Sequence, residues 1–193
     1  MQDIQSIRNR IDAELGKFPL YQYAFLTPDE IRFDPSLRNY CKHICGNYKT
    51  TWACPPAVGR IDQCVDRCLS YEDVLIFSTA RKKQGPEKKA VYTKDRPYLD
   101  FHEQTTCEIE RMFEKEGLQV YTLTSNVCRM CKKCVYPKER CRFPEVLHPC
   151  IEGHGIRVDE VAEQIGIDYY LSGYSLKFTV LFYKQVTATI QKE

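Results

Sequence analysis

The sequence lacks most of what would send a chain into a membrane, out of a cell or onto a nucleic acid. No stretch approaches the roughly 18 apolar residues that suggest a membrane span, and the first residues, MQDIQSIRNRIDAELGKF, are charged and amphipathic. They have neither the apolar core nor the small-residue cleavage site of a secretory signal. The formal charge is only +2, too little to argue for nucleic acid by itself. A basic stretch, Arg81, Lys82, Lys83, Lys88 and Lys89 around QGPE, has no aromatic residues between its charges and reads as a solvated loop. No internal repeat is visible. These absences leave a soluble, cytoplasmic protein, with no membrane and no nucleic-acid partner, as the expectation.

Such a compartment keeps thiols reduced, yet the chain carries 11 cysteines, an odd number that no complete set of internal disulfides can absorb. Metal ligands or catalytic groups are therefore the expected use of these side chains. At 193 residues, with 13 tyrosines and 9 phenylalanines, the chain is long enough for one sizeable hydrophobic core and has no clear linker to a second. A single cysteine-rich domain over residues 1–193 is expected.

Apolar periodicity predicts a helix over residues 2–16, where Ile4, Ile7, Ile11 and Leu15 share a face, then a strand over 20–26. A helix over 60–69 precedes the apolar strand DVLIFST (73–79). The longest helix is predicted over 98–115, with Gly117 as its cap, and the strand LQVYTLT (118–124) delivers the chain into Cys128. A helix near 157–165 and a strand pair or hairpin built on YYLSG and LKFTVLFY complete the domain. Strands alternating with helices predict an α/β (α+β) architecture, a mixed β-sheet flanked by helices. Two cysteine-rich metal-binding loops, an early one over 41–56 and a late one over 128–154, would hang from that sheet, which holds their ends still.

The late loop carries the sharper pattern. Cys128, Cys131, Cys134 and Cys141 form C-x2-C-x2-C-x6-C, and two-residue gaps let a tight loop aim successive sulfurs at one centre, as in bacterial ferredoxins. Pro144 stands three residues after Cys141, whereas the ferredoxin run has proline directly after its last cysteine. Zinc is the rival, because four thiolates also suit it. Zinc sites usually offer two separated pairs, however, and leave no use for a third cysteine at a second two-residue gap.

The early loop holds Cys41, Cys45 and Cys54 in CKHICGNYKTTWACPP. Cys41 and Cys45 share a face if they lie on a helical turn, and Cys54 returns from a loop restricted by Pro55 and Pro56. Three thiolates are one short of a closed site. Cys64, Cys68, Cys150, a histidine or an open position are the candidates for the fourth place.

Plainer roles compete for several of these residues. Cys64 and Cys68, at helical spacing, also suit a core as small apolar side chains, and Cys107, alone in its helix, reads as core. His154, flanked by glycines in EGHGI, is a candidate ligand, while His43 could tune a thiolate and His102 and His148 carry no signal beyond position. Arg38, Lys42, Arg129, Lys132, Lys133, Arg140 and Arg142 surround the thiols and would lower their pKa values and raise the potential of a negatively charged cluster. Trp52 and Tyr48 would shield it from water.

At these residues the chain resembles a known family. RNYCKHICGNYKTTWACPPAVG, CRMCKKC and CRFPE are similar to the cysteine-rich prokaryotic proteins described as predicted metal-binding proteins, domain of unknown function 2284, over residues 31–182. The resemblance implies Cys41, Cys45, Cys54, Cys128, Cys131, Cys134 and Cys141 as the shared thiols. Members typically carry a further cysteine before a turn like G-I-D-V, and here that position holds His154, in HGIRV. Either His154 replaces the thiolate, or Cys150 supplies the last ligand, or the position is unliganded.

The expected function is that of an iron-sulfur protein, with a [4Fe-4S] cluster in the late loop and a second held by the early loop, passing single electrons to or from a redox partner protein. Two alternatives stand beside it. In one, a cluster with three thiolates leaves an iron open to act on a substrate as a Lewis acid or redox centre. In the other, zinc stabilises an interaction module with no redox role.

Overall fold

The structure is a computed structural model and describes residues 3–83 and 90–186. Lys88 and Lys89 of the basic stretch lie outside the described residues. Four strands, β1 (Gln22–Leu26), β2 (Asp73–Lys82), β3 (Leu118–Thr124) and β4 (Tyr174–Gln185), form one sheet in the order β1-β2-β4-β3. Among the described residues five α-helices accompany them: α1 (Ile4–Leu15), α2 (Leu37–His43), α3 (Ile61–Leu69), α4 (Phe101–Lys115) and α5 (Val158–Ile165).

The architecture is α+β, as expected, but every neighbouring strand pair is antiparallel, which corrects the mixed sheet. The reason lies in β4. Strands β2 and β3, joined through α4, do run the same way, as a crossover helix requires. The last strand then inserts between them, antiparallel to both, so no parallel pair is hydrogen-bonded within the sheet. The predicted C-terminal hairpin is also corrected. YYLSG leads through a turn into β4 as a single 12-residue strand, whose aromatic and aliphatic residues suit a strand buried on both faces.

Alternation along the strands gives the sheet two apolar faces. Leu75, Phe77, Leu181 and Tyr183 point to one, where Ile7, Ile11 and Leu15 of α1 and Ile109 and Phe113 of α4 cover them. Each such side chain, when fully buried, contributes about 1.5–3 kcal/mol. Arg8 of α1 also reaches the buried Asp73 carboxylate, with Nε 2.6 Å from Oδ2, and Tyr183 donates to the same group. Val74, Ile76, Phe178, Val180 and Phe182 point to the opposite face.

That second face positions the site. It is covered by Cys68 of α3, Val158 and Val161 of α5, and Ile31, Ile151 and Ile156, so the thiol-bearing segments are anchored by apolar residues of the core itself. Asp100 caps α4 by accepting from the Glu103 amide, and Gly117, at φ 75°, lets the chain turn straight into β3. Among the described residues, no helix is long and apolar enough to cross a membrane.

Candidate metal centre

The end of β3 organises both cysteine segments. The late segment leaves at Thr124 and returns to it: the Thr124 amide donates to the Pro149 carbonyl at 3.0 Å, the Ile151 amide to the Thr124 carbonyl at 3.2 Å, and Thr124 and Cys150 form an isolated parallel bridge. The Cys150 amide donates to the Ala53 carbonyl at 2.9 Å, which brings the early loop to the same place. All 11 cysteines are free thiols.

Cys41, Cys45, Cys54 and Cys150 make up the first group. Cys41 sits in the last turn of α2 and Cys45 just beyond it, where its amide still reaches the Tyr40 carbonyl at 3.1 Å. With Cys41 within the helix and Cys45 just past its end, part of the segment read as loop is helical. Cys150 lies beside Cys54, and the interaction between the two buried thiols holds Cys54 below the usual range and pushes Cys150 far above it. The buried Thr51 hydroxyl near Cys54 makes no hydrogen bond among the described residues. Burial, with Glu152 and Cys45 adding to it, pushes the Cys41 thiol up to about 11.

Backbone packing leaves these sulfurs little freedom. Gly153 lies so close that a Cβ there would come within 2.6 Å of Cys150 Sγ and 3.1 Å of Pro55 Cδ. Arg38 of α2 donates from Nε to the Gly153 carbonyl at 2.6 Å and from Nη2 to the Gly59 carbonyl at 3.0 Å, tying the helix to both flanking segments.

Cys128, Cys131, Cys134 and Cys141 make up the second group and together line a cavity of about 260 Å³. Arg129, Lys132 and Arg142 line the same cavity. Burial pushes the Cys128 thiol up to about 12 and also raises Cys141. Trp52 closes one side, anchored by its indole N–H on the Glu139 carbonyl at 3.0 Å and edge-on to Tyr136 with ring centroids 4.9 Å apart. Thr50, Thr51 and Trp52 of the early loop therefore wall the late cavity, while Cys54, next but one to Trp52, belongs to the other group. The two groups are neighbours.

The remaining candidates fall elsewhere. His154 is fully buried, with Nδ1 2.9 Å from the Cys150 carbonyl oxygen and Nε2 2.7 Å from the Tyr121 hydroxyl, so both nitrogens are already engaged and neither is offered to the thiols. Its flanking glycines serve the backbone instead. Gly155, at φ 77°, passes 3.1 Å from the Asp34 carbonyl oxygen, measured from where a Cβ would stand. Cys64 donates to the Val58 carbonyl and Cys68 belongs to the core, whereas Cys150 is the candidate for the early group's fourth place that lies beside Cys54. Cys107 is buried on α4, His43 is exposed, and His102 is buried between the hydroxyls of Thr79 and Thr179. Glu152, whose carboxyl is raised by burial beside Cys41, Cys54 and Cys150, had no sequence signal.

Neither group is as tight as a single ion demands. Among the described residues, no three sulfurs of either group lie within 4.8 Å of one another. A tetrahedral zinc site, with Zn–S near 2.3 Å, sets its sulfurs only about 3.8 Å apart.

No curated protein matches the chain. Among solved structures, epoxyqueuosine reductase from Streptococcus thermophilus is similar at 16% identity with a TM-score of 0.43, over 94% of this chain and 47% of that one, so the chain spans about half the length of that protein. The model of a family described as "Predicted metal-binding protein (DUF2284)" matches residues 24–183. With most of its length so matched, including both groups of thiols, the chain belongs to that family of predicted metal-binding proteins.

Proposed function

We propose that the protein binds two iron-sulfur clusters of the [4Fe-4S] type, one in each thiol group, and passes single electrons through them to or from a partner protein. The observation that carries this reading is the late cavity: four cysteines line a space of about 260 Å³, where one water or ion needs only about 10–15 Å³. A cubane cluster gives each thiolate its own iron, which suits sulfurs spread around a cavity better than sulfurs converging on one point.

Cys150 bears on the choice between electron carrier and open-iron catalyst. Beside Cys54 it offers the early group a fourth thiol, which favours the electron carrier over the reading in which three thiolates leave an iron open. The cations lining the late cavity would offset the negative charge of a thiolate-bound cluster.

The test is metal and acid-labile sulfide analysis of protein purified without oxygen. Two clusters' worth of iron and sulfide, with a broad visible absorption that bleaches on reduction, is the expected result. Colourless protein with stoichiometric zinc and no sulfide would overturn it.

A further inference from the structure

Another cluster of metal-capable side chains lies outside both thiol groups. Among the described residues, Cys107, Glu110 and His148 form the one trio whose ligand atoms all lie within 4.8 Å of one another. Cys107 and Glu110 are three residues apart on α4 and project from one face of it. His148 comes from the late segment just before its return to Thr124. Its Nε2 is 2.9 Å from Glu110 Oε2 and its Nδ1 is 2.7 Å from Glu103 Oε2. Glu103 is held in turn, accepting from Asn126 Nδ2 at 2.9 Å and from the Thr124 hydroxyl at 3.2 Å.

The plain alternative is an ion pair, a protonated His148 clasped by two glutamates. It accounts for the carboxylates but gives the Cys107 sulfur no part, although this buried thiol sits beside the pair and makes no hydrogen bond among the described residues. A metal site uses all four groups. Glu103 stands where a carboxylate orients a ligating histidine, accepting the Nδ1–H hydrogen bond so that Nε2 is the coordinating nitrogen. Glu110, with 17% of its side chain exposed, gives an ion a way in, while His148 at 4% is closed off.

We propose that Cys107, Glu110 and His148 bind one divalent transition-metal ion, best matched by zinc, with a water in the fourth position. Sulfur, imidazole and carboxylate are all zinc ligands, and around one zinc ion they stand roughly 3.3–3.8 Å apart, so the Nε2–Glu110 pair would open slightly while all three stay within the 4.8 Å already present. Binding exchanges the Nε2 hydrogen bond to Glu110 for two bonds to the ion, and it releases protons because the thiol and imidazole must both give one up. The ion clamps α4 to the segment that ends in Cys150. This site is independent of the clusters, since it shares no ligand with either thiol group.

The test uses the full chain, prepared without oxygen and carrying whatever metal it holds on isolation. Native protein and the variants Cys107→Ala, Glu110→Gln and Glu103→Gln are equilibrated with Zn²⁺ and, separately, with Co²⁺, and iron and sulfide are measured on the same samples. Cys107→Ala is expected to bind one equivalent of zinc fewer and to lose a thiolate-to-cobalt charge-transfer absorption. Glu110→Gln should weaken zinc at least tenfold, and Glu103→Gln by about 10–100-fold with the stoichiometry kept at saturation. Iron and sulfide stay unchanged, which separates failure here from failure of the cluster reading. Equal zinc affinity and stoichiometry in native protein and the Cys107 and Glu110 variants overturns the proposal. Should Cys107→Ala fail to fold by circular dichroism, the partly exposed Glu110→Gln decides alone.

Discussion

The two thiol groups are built in opposite ways. The late one comes from a single run of chain: Cys128, Cys131, Cys134 and Cys141 are partly exposed and line an open-sided cavity rimmed by cations. The early one is assembled from three places, the end of α2, the turn before Pro55 and the return at Thr124, and three of its four sulfurs are buried, Cys41, Cys54 and Cys150. The first needs mainly a loop of the right pitch. The second exists only once the sheet has formed, because β3 is what brings Cys150 to Ala53. One group is therefore suited to exchange with the outside and the other to being shielded from it.

The sharpest way to break that comparison is to remove Cys150. Cys150→Ser should cost the protein all the metal of the early group and leave the late group's spectrum intact, whereas Cys131→Ser should do the reverse. Iron counting with visible and paramagnetic spectroscopy of each variant reads the outcome. Loss of all metal from either change would mean one shared site and would end the division into two groups.

A subtler change acts on the early group without touching a ligand. In Gly153→Ala the new methyl would press on Cys150 Sγ from 2.6 Å and on the Pro55 ring from 3.1 Å, and overpacking of this kind costs about 1–3 kcal/mol. Early-group metal should fall while the late group keeps its own. Arg38→Leu is expected to act through the protein instead. It removes the charged donor to the Gly153 and Gly59 carbonyls, and hydrogen bonds of this kind contribute about 1.5–3 kcal/mol each. Denaturant unfolding should show that loss, with Arg38→Lys recovering part of it.

The same contrast explains what could be read from the chain beforehand. Helices α1, α3, α4 and α5 and the first three strands follow from the apolar pattern, because each helix buries one stripe and the strands are short apolar runs, β2 being buried on both faces. The late thiols stand out because their neighbours in space are also neighbours in sequence. Cys150 gives no such signal, since its nearness to Cys54 is produced by β3 and by a bridge at Thr124. The antiparallel sheet was hidden for a related reason: the helix-strand alternation is real, but the last strand's insertion between β2 and β3 is a property of the whole fold. His148 and Glu103 lie far apart in the chain and meet only because α4 packs beside the late segment.

The smallest expected effect concerns the late rim and tests whether the outer group is where electrons would be exchanged with the proposed partner. Arg129, Lys132 and Arg142 line the cavity, and Lys132 and Arg142 are exposed, so they contribute little to stability but set the local potential. Dithionite, a small anionic reductant, serves as a probe of that potential. In Lys132→Glu with Arg142→Glu, reduction of the late cluster should slow several-fold at low ionic strength. The difference should shrink as salt rises, because at about 0.15 M the Debye length is only about 8 Å. The early group, shielded by buried walls, should show little change in rate. Were the early cluster slowed equally, electrons would have to enter it through the late one, and the two groups would be a relay in series. Were neither rate to change with charge reversal, the cations would be plain surface and the late cavity would lose its claim to be the point of exchange.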